Sequence, residues 1–222
     1  MYIDFDLKIN SKKALLLSHG LFSNKEQERF QKLKESLISK DISYLFFDYP
    51  GHGKSEKRVM NALEFKETFL RMCNLLLEKE VKELVILSES FGALITLSNY
   101  DFIKDNFKAD FVFIGPLIKP KVPYYLQNPK IMEKILKGEV VEIGKEKYLV
   151  DLNFLRSLFK LELKYPKKAT VFFGLNDFII NLNELKKIIE ENNLDWDLIY
   201  LNDDHVISKN FDLVINFILS FF

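Results

Sequence analysis

Val85-Ile86-Leu87-Ser88-Glu89-Ser90-Phe91-Gly92-Ala93-Leu94 leaves an apolar run and enters a helical pattern through a tight turn holding a serine and a glycine. The run, extended back to Leu84, is bounded like a short strand and apolar on both alternating faces, so it reads as a strand buried on both sides. Strands of that kind belong to parallel sheets, whose crossover helices cover both faces. A serine on the turn that follows stands where a nucleophilic hydroxyl would be held. Such a hydroxyl needs a base for its proton and backbone amides for the oxyanion it creates.

Outward from this stretch, strands and helices alternate. Upstream, Ala14-Leu15-Leu16-Leu17 and Tyr44-Leu45-Phe46-Phe47 read as strands, with helical spacing over 24–40 (Phe30, Leu33, Leu37, Ile38) and 63–80 (Phe69, Met72, Cys73, Leu76, Leu77). Ser23 or Asn24 is expected to cap the first of these helices. Tyr2 to Ile9 alternates with period two and is expected to form an edge hairpin with the 14–17 strand. Downstream, strands are expected at 111–114, 170–173 and 198–201, with helices over 91–100, 182–192 and from about 210 to Phe222. That last helix is apolar on nearly every face, which fits packing on the sheet or a contact between two copies of the chain.

One stretch interrupts the alternation. Residues 116–168 hold five of the six prolines and a hairpin pattern, Val140 to Ile143 and Tyr148 to Val150 around Gly144-Lys145. It reads as an insertion over one end of the sheet, where loops carry binding specificity.

Composition narrows the function classes. In 222 residues, 48% are hydrophobic and 29% charged, with 32 basic against 32 acidic side chains, so no net field draws the chain to nucleic acid or to an anionic membrane surface. The length suits one domain over 1–222. Cys73 is the only cysteine, which excludes an internal disulfide and a CxxC site. The three histidines are far apart and form no HxH or HExxH pair, so neither a metal nor another cofactor is implied. The N-terminal residues lack the apolar core of a secretion signal and no window is long enough to span a membrane, so a cytoplasmic protein is expected.

Ligands of parallel sheets gather beyond the carboxyl ends of the strands, and there the sequence places its chemistry. Ser18-His19-Gly20-Leu21-Phe22 follows the first strand of the alternating pattern, Asp48-Tyr49-Pro50-Gly51-His52-Gly53-Lys54-Ser55 the second, and Ser90 the third. Gly174-Leu175-Asn176-Asp177 and Asn202-Asp203-Asp204-His205 follow the last two. This ordered set resembles the α/β-hydrolase family, whose nucleophile, acid and histidine run in that order along the chain, as Ser90, Asp177 and His205 do.

The resemblance covers residues 14–222 and implies a mostly parallel sheet of about eight strands, helices on both faces, and a short lid over 117–165. It also implies a serine hydrolase cleaving carboxylic esters through an acyl-enzyme. His205 would be the base, Asp177 its orienting acid, and the amides of Phe91 and Leu21 the oxyanion donors, with Phe22 as the other candidate for the second donor. The short insertion is similar to the lids of cinnamoyl and feruloyl esterases and of monoacylglycerol lipases.

Ser88 stands where the family's elbow usually has glycine, and is itself the competing serine. Asp203, Asp204 and Asp48 are competing carboxylates, of a kind also used in caps and turns. Glu89 is expected to face solvent or pair with a lysine. His19 is expected to order the oxyanion loop, and His52 to be a turn residue. Tyr124, Tyr125 and Phe154, with His19, are the candidate substrate contacts, although the aromatic residues could instead form the insertion's own core. The expected partner is a small acyl ester, met by a monomer or a homodimer. Thioesters, lipid esters, lactones and short peptides fit the same chemistry, and a non-catalytic binding protein that kept the fold is the reading from a different class.

Overall fold

The computed structural model describes residues 1–222. A seven-stranded sheet carries the molecule, formed by β1 (Phe5–Lys8), β2 (Lys13–Ser18), β3 (Ser43–Phe47), β4 (Glu83–Glu89), β5 (Lys108–Ile114), β8 (Lys168–Gly174) and β9 (Asp195–Leu201) in the order β1-β3-β2-β4-β5-β8-β9. All neighbours are parallel except β1 and β3. The sheet therefore has seven strands where about eight were expected, because the 140–150 hairpin lies outside it as a separate pair, β6 (Val141–Ile143) and β7 (Tyr148–Val150).

The expected hairpin between the first two strands does not form. Ser43 Oγ accepts the amides of Asn10 and Ser11, each at 3.0 Å, so the chain bends across β3 and the first strand pairs there, Phe5 opposite Phe47. A covered edge is the consequence.

Alternate residues of each buried strand serve opposite faces, as period two requires. Leu16, Leu45, Phe47, Ile86, Phe113 and Val171 enter one core, while Leu15, Leu17, Phe46, Leu87, Ile114 and Phe172 enter the other. Helices α1 (Glu28–Ser39) and α8 (Phe211–Leu219) close the second face through Phe30, Leu33, Leu37, Val214 and Ile218. Thus the apolar C-terminal helix packs on the sheet within its own chain. Helices α2 (Ala62–Glu78), α3 (Phe91–Ser98) and α4 (Tyr100–Asn106) cover the first face. The helix expected over 91–100 is broken at Asn99, whose side chain caps carbonyls of Ile95 and Lys66.

Helix boundaries follow local capping chemistry. Asn61 accepts the Leu63 amide at the head of α2, and Asn181 does the same for Asn183 and Glu184 at the head of α7 (Leu182–Glu191). The start of α1 differs from expectation: Gln27 occupies the cap position without a side-chain bond, while Asn24 turns on itself to accept the Glu26 amide.

Between β5 and β8, the insertion adds α5 (Pro129–Leu136), the β6/β7 hairpin and α6 (Leu152–Leu158). It is tied to the sheet domain at several points. Met60 donates its amide to Leu149 O at 2.9 Å and Ala62 to Ser157 Oγ at 2.8 Å, while Tyr165 Oη donates to Ile118 O at 2.9 Å and holds the two ends of the insertion together. Leu126, Ile135, Tyr148, Val150, Phe154 and Leu158 join the same apolar core as the sheet's first face. No helix is long and apolar enough to cross a membrane.

Candidate active site

The strand order reverses between β2 and β4: the chain leaves β2 toward β3 and leaves β4 toward β5 on the other side. Loops that depart in opposite directions open a crevice at the strand ends, the usual ligand position in open α/β sheets. Gly20-Leu21 follows β2 and Ser90 follows β4, so the crevice is theirs.

Ser90 occupies a strained turn, with φ 50° and ψ −113°. A residue with a Cβ pays roughly 1–3 kcal/mol to sit there, and only a tightly determined surrounding holds it. Gly92 is part of that surrounding: a Cβ on it would lie 2.1 Å from Ser18 O. Helix α3 can pass that close to β2 only with glycine at this position.

Ser88, at the usual glycine position, is fully buried in β4 and its Oγ lies 2.8 Å from Thr96 Oγ1 on α3. Its hydroxyl is therefore spent inside the fold, pinning helix to strand, and it does not line the cavity beside Ser90. Replacing Ser88 with glycine should leave the Thr96 hydroxyl buried and unpartnered, at about 1–3 kcal/mol of stability. Urea unfolding of the variant checks this; unchanged stability would contradict it.

His205 follows β9 and its Nδ1 stands 2.7 Å from Asp177 Oδ2. The other oxygen of Asp177 accepts the amides of Ile179 and Ile180 at 2.8 and 3.0 Å, so the carboxylate is fixed by its own loop and its side chain is fully shielded from solvent. Two glycines admit this loop pair. A Cβ on Gly174 would meet Asp204 O at 2.0 Å, and one on Gly115 would meet His205 O at 2.7 Å. The competing carboxylates are engaged elsewhere. Asp203 accepts the amides of Lys209 and Asn210, Asp204 those of Val206 and Ser208, and Asp48 those of Lys25 and Lys54. All three brace loops, and hydrogen bonds hold the Asp203 and Asp204 carboxyls below the usual range against the upward push of burial.

Ser90 and His205 line a single cavity of about 520 Å³, together with Leu21, Phe91, Tyr124 and Tyr125. Its walls are largely apolar, with Leu117, Ile131, Ile143, Ile179 and Ile180. Two amides face no acceptor in the protein. Leu21 N makes no hydrogen bond, and Phe91 is the first residue of α3, where a helix has no acceptor to offer. The Phe22 amide, the other candidate donor, is already bonded to His52 Nε2 at 3.3 Å and is withdrawn from that role.

Two of the expected substrate contacts lie elsewhere. Phe154 is fully buried against Phe65 and Phe91, where it supports the cavity from behind. His19 is also fully buried, with Nδ1 donating to Gly20 O at 2.8 Å and Nε2 accepting the Tyr49 amide at 3.1 Å. That carbonyl belongs to the peptide whose amide is Leu21 N, so His19 sets the plane of that peptide.

The cavity wall also holds polar residues that the sequence did not mark as part of a site: Ser23, read only as a helix cap, and Gln27, Arg29 and Lys121. Arg29 grips Glu89 through Nε and Nη2 at 2.8–3.0 Å. The expectation of a solvent-facing or lysine-paired Glu89 is thereby corrected: the carboxylate is buried, and burial of a charge demands such a partner. An arginine in the first turn of α1, sixty residues from Glu89 in the chain, gives no local pattern from which this pair could be read. No group of His, Cys, Asp or Glu is arranged to hold a metal ion.

Burial lowers the pKa of His19 and pushes that of His52 well below the usual histidine range, so both rings are neutral in the fold. The unfolded chain takes up protons on these side chains below about pH 6.5, whereas the folded one resists until lower pH. Stability should therefore be complete above that pH and fall by up to about 2.7 kcal/mol per pH unit beneath it if both titrate only on unfolding. Urea unfolding between pH 7.5 and 5 measures the slope; a flat line over that range would contradict the assignment of neutral rings.

A family model described as "Serine aminopeptidase, S33" matches residues 9–152, which include the loop after β2, the 48–55 turn and the elbow at Ser90. The chain belongs to that family. Among curated proteins, this S33-family chain is 25% identical over 99 residues to "Putative esterase/lipase 2" of Mycoplasma pneumoniae, covering 45% of the chain and 36% of that protein. It is 20% identical over 171 residues to the Mycoplasma genitalium protein of the same name, covering 77% and 61%. The chain thus spans from about a third to three fifths of the length of the curated relatives it matches.

Solved structures share the fold at low identity. Est1E of Butyrivibrio proteoclasticus with ferulic acid bound superposes with a TM-score of 0.73 at 16% identity, over 99% of this chain and 93% of that one. The monoacylglycerol lipase of Paleococcus ferrophilus gives 0.73 at 18%, over 100% and 98%. The S33-family chain accordingly has the α/β-hydrolase fold.

Proposed function

We propose that this protein is a carboxylester hydrolase that works through an acyl-enzyme, with Ser90 as nucleophile, His205 as base and Asp177 as the acid that orients it. The observation carrying this reading is that Ser90, His205 and two unspent amides line the same cavity. His205 takes the Ser90 proton as the hydroxyl attacks the acyl carbon, and later returns it to the leaving group. Asp177 holds the imidazole with its Nδ1 proton inward. The amides of Leu21 and Phe91 receive the oxyanion, each worth about 100- to 1000-fold in rate.

The apolar walls, with the rings of Tyr124 and Tyr125 at the insertion side, favour an apolar acyl group. Residues 117–165 act as a roof over the site within one domain. An aminopeptidase reading would need an unspent carboxylate to bind a substrate's free ammonium. Of the carboxylates lining the cavity, Glu89 is buried and held by Arg29, and Glu142 points into solvent beside Lys147. Ester or thioester cleavage fits better. Fluorophosphonate titration tests the proposal: one label per chain is expected, and no labelling of folded protein would overturn it.

A further inference from the structure

The 51–53 turn contributes a residue that the hydrolytic mechanism above does not use. His52 is buried at the junction of three parts of the molecule: the loop after β2, the turn after β3, and the β6/β7 hairpin of the insertion. Its ring lies 5.2 Å from that of His19, 5.4 Å from Phe65 and 5.0 Å from Tyr148.

Hydrogen bonding fixes which nitrogen carries the proton. His52 Nδ1 is 3.1 Å from Pro50 O, and a carbonyl only accepts, so the proton is on Nδ1. Nε2 is then a lone pair, and it accepts the Phe22 amide at 3.3 Å. Burial keeps the ring neutral and the lone pair available.

Phe22 has φ 61°, a left-handed conformation that a residue with a bulky side chain adopts only under constraint. Two constraints act on it: the bond to His52, and packing of its ring on Tyr148 at 5.2 Å and on Tyr125 at 6.0 Å. The following amide, Ser23 N, donates to Gly20 O at 3.3 Å. Of the three successive amides at 21, 22 and 23, only Leu21 N is left unspent.

We propose that His52 is a positioning residue for oxyanion binding: by accepting the Phe22 amide it holds the loop in its strained turn, with the Leu21 amide as the donor left free for the substrate. The inference rests on the ester-hydrolase reading and extends it to a residue that touches no reacting atom. Without this acceptor, Phe22 relaxes toward negative φ, the adjoining peptide planes rotate, and the Leu21 donor shifts. A misplacement of about 1 Å in such a group costs on the order of 100-fold in rate.

Two polar substitutions separate this role from mere packing. In His52→Gln the side-chain oxygen reaches the place of Nε2 and can still accept the Phe22 amide. In His52→Asn the shorter amide reaches only the place of Nδ1, where it can donate to Pro50 O but leaves Phe22 N unanswered. For a p-nitrophenyl ester, His52→Asn should lower kcat about 10- to 100-fold with KM within about 2-fold, and should slow fluorophosphonate labelling by a similar factor at an unchanged final stoichiometry. His52→Gln should recover most of both rates.

Equal rates for the folded Asn variant and the wild type would overturn the proposal, as would a Gln variant no better than Asn. A rise in KM with kcat unchanged would also overturn it, because that marks lost substrate binding. Should His52→Asn fail to fold, His52→Leu takes its place, filling the site without an acceptor: the folded Leu variant should turn over and label about 10- to 100-fold more slowly than His52→Gln. Equal rates for the Leu and Gln variants would overturn the proposal. Wild-type protein that takes no label at all would instead defeat the ester-hydrolase reading.

Discussion

Ser90→Ala should remove p-nitrophenyl ester turnover by about 10⁴- to 10⁶-fold and abolish fluorophosphonate labelling, while urea unfolding shows a protein as stable as the wild type or slightly more so. The size of the loss follows from what remains. Without the hydroxyl no acyl-enzyme forms, and only binding and the amides of Leu21 and Phe91 can assist attack by water. Stability is not expected to suffer, because alanine carries the same Cβ at φ 50° and the Ser90 side chain makes no capping bond to α3. Ser88→Ala is the control. It breaks the buried bond to Thr96 yet should keep a full label. If Ser88→Ala lost the label and Ser90→Ala kept it, the nucleophile would be the wrong serine.

Asp177→Asn should lower kcat by about 10⁴-fold with KM little changed. An asparagine there presents either an NH₂ group to His205 Nδ1, forcing the wrong tautomer, or an oxygen without the charge that stabilises the imidazolium. Asp203→Asn and Asp204→Asn should behave differently. Their carboxylates accept backbone amides between Asp204 and Asn210 and make no bond to the imidazole, so the expected effect is lost stability with kcat within about 10-fold. Single-turnover kinetics of the three variants checks the order. Greater damage from Asp204→Asn would reassign the acid.

Much of this site was legible because parallel sheets concentrate function at strand ends. Once the strands at 14–17, 44–47, 84–87, 170–173 and 198–201 are recognised from their apolar runs, the residues after each become a short list of candidates. Asp177 follows Gly174 at the end of its strand, and the fold supplies the reason for that glycine: a Cβ there would strike the backbone of the loop that carries His205. The Ser88 irregularity was visible but not interpretable. Its explanation lies on α3, in Thr96, eight residues on and facing back across the helix–strand interface.

The contacts that were misjudged all depend on which atoms end up opposite one another. Glu89 was expected to face solvent or pair with a lysine, because nothing near it in sequence announces Arg29, sixty residues away. Phe154 and His19 were expected at the substrate and lie behind the cavity wall. Leu21 was preferred to Phe22 as a candidate donor on resemblance alone, and the bond that ties the Phe22 amide to His52 Nε2 could not be read from the sequence.

The chain's one-dimensional pattern was enough to determine the parallel sheet, the order of its chemical groups and the place of the insertion, because periodicity and turn chemistry are local and each strand announces its own end. Strand β1 joining β3, the spending of individual amides and carboxylates, and the division of aromatic residues between cavity wall and core were decided only by tertiary structure. Hydrogen-bond pairing is competitive: each donor or acceptor is free or taken according to partners tens of residues distant, and that competition is resolved only when the elements are packed.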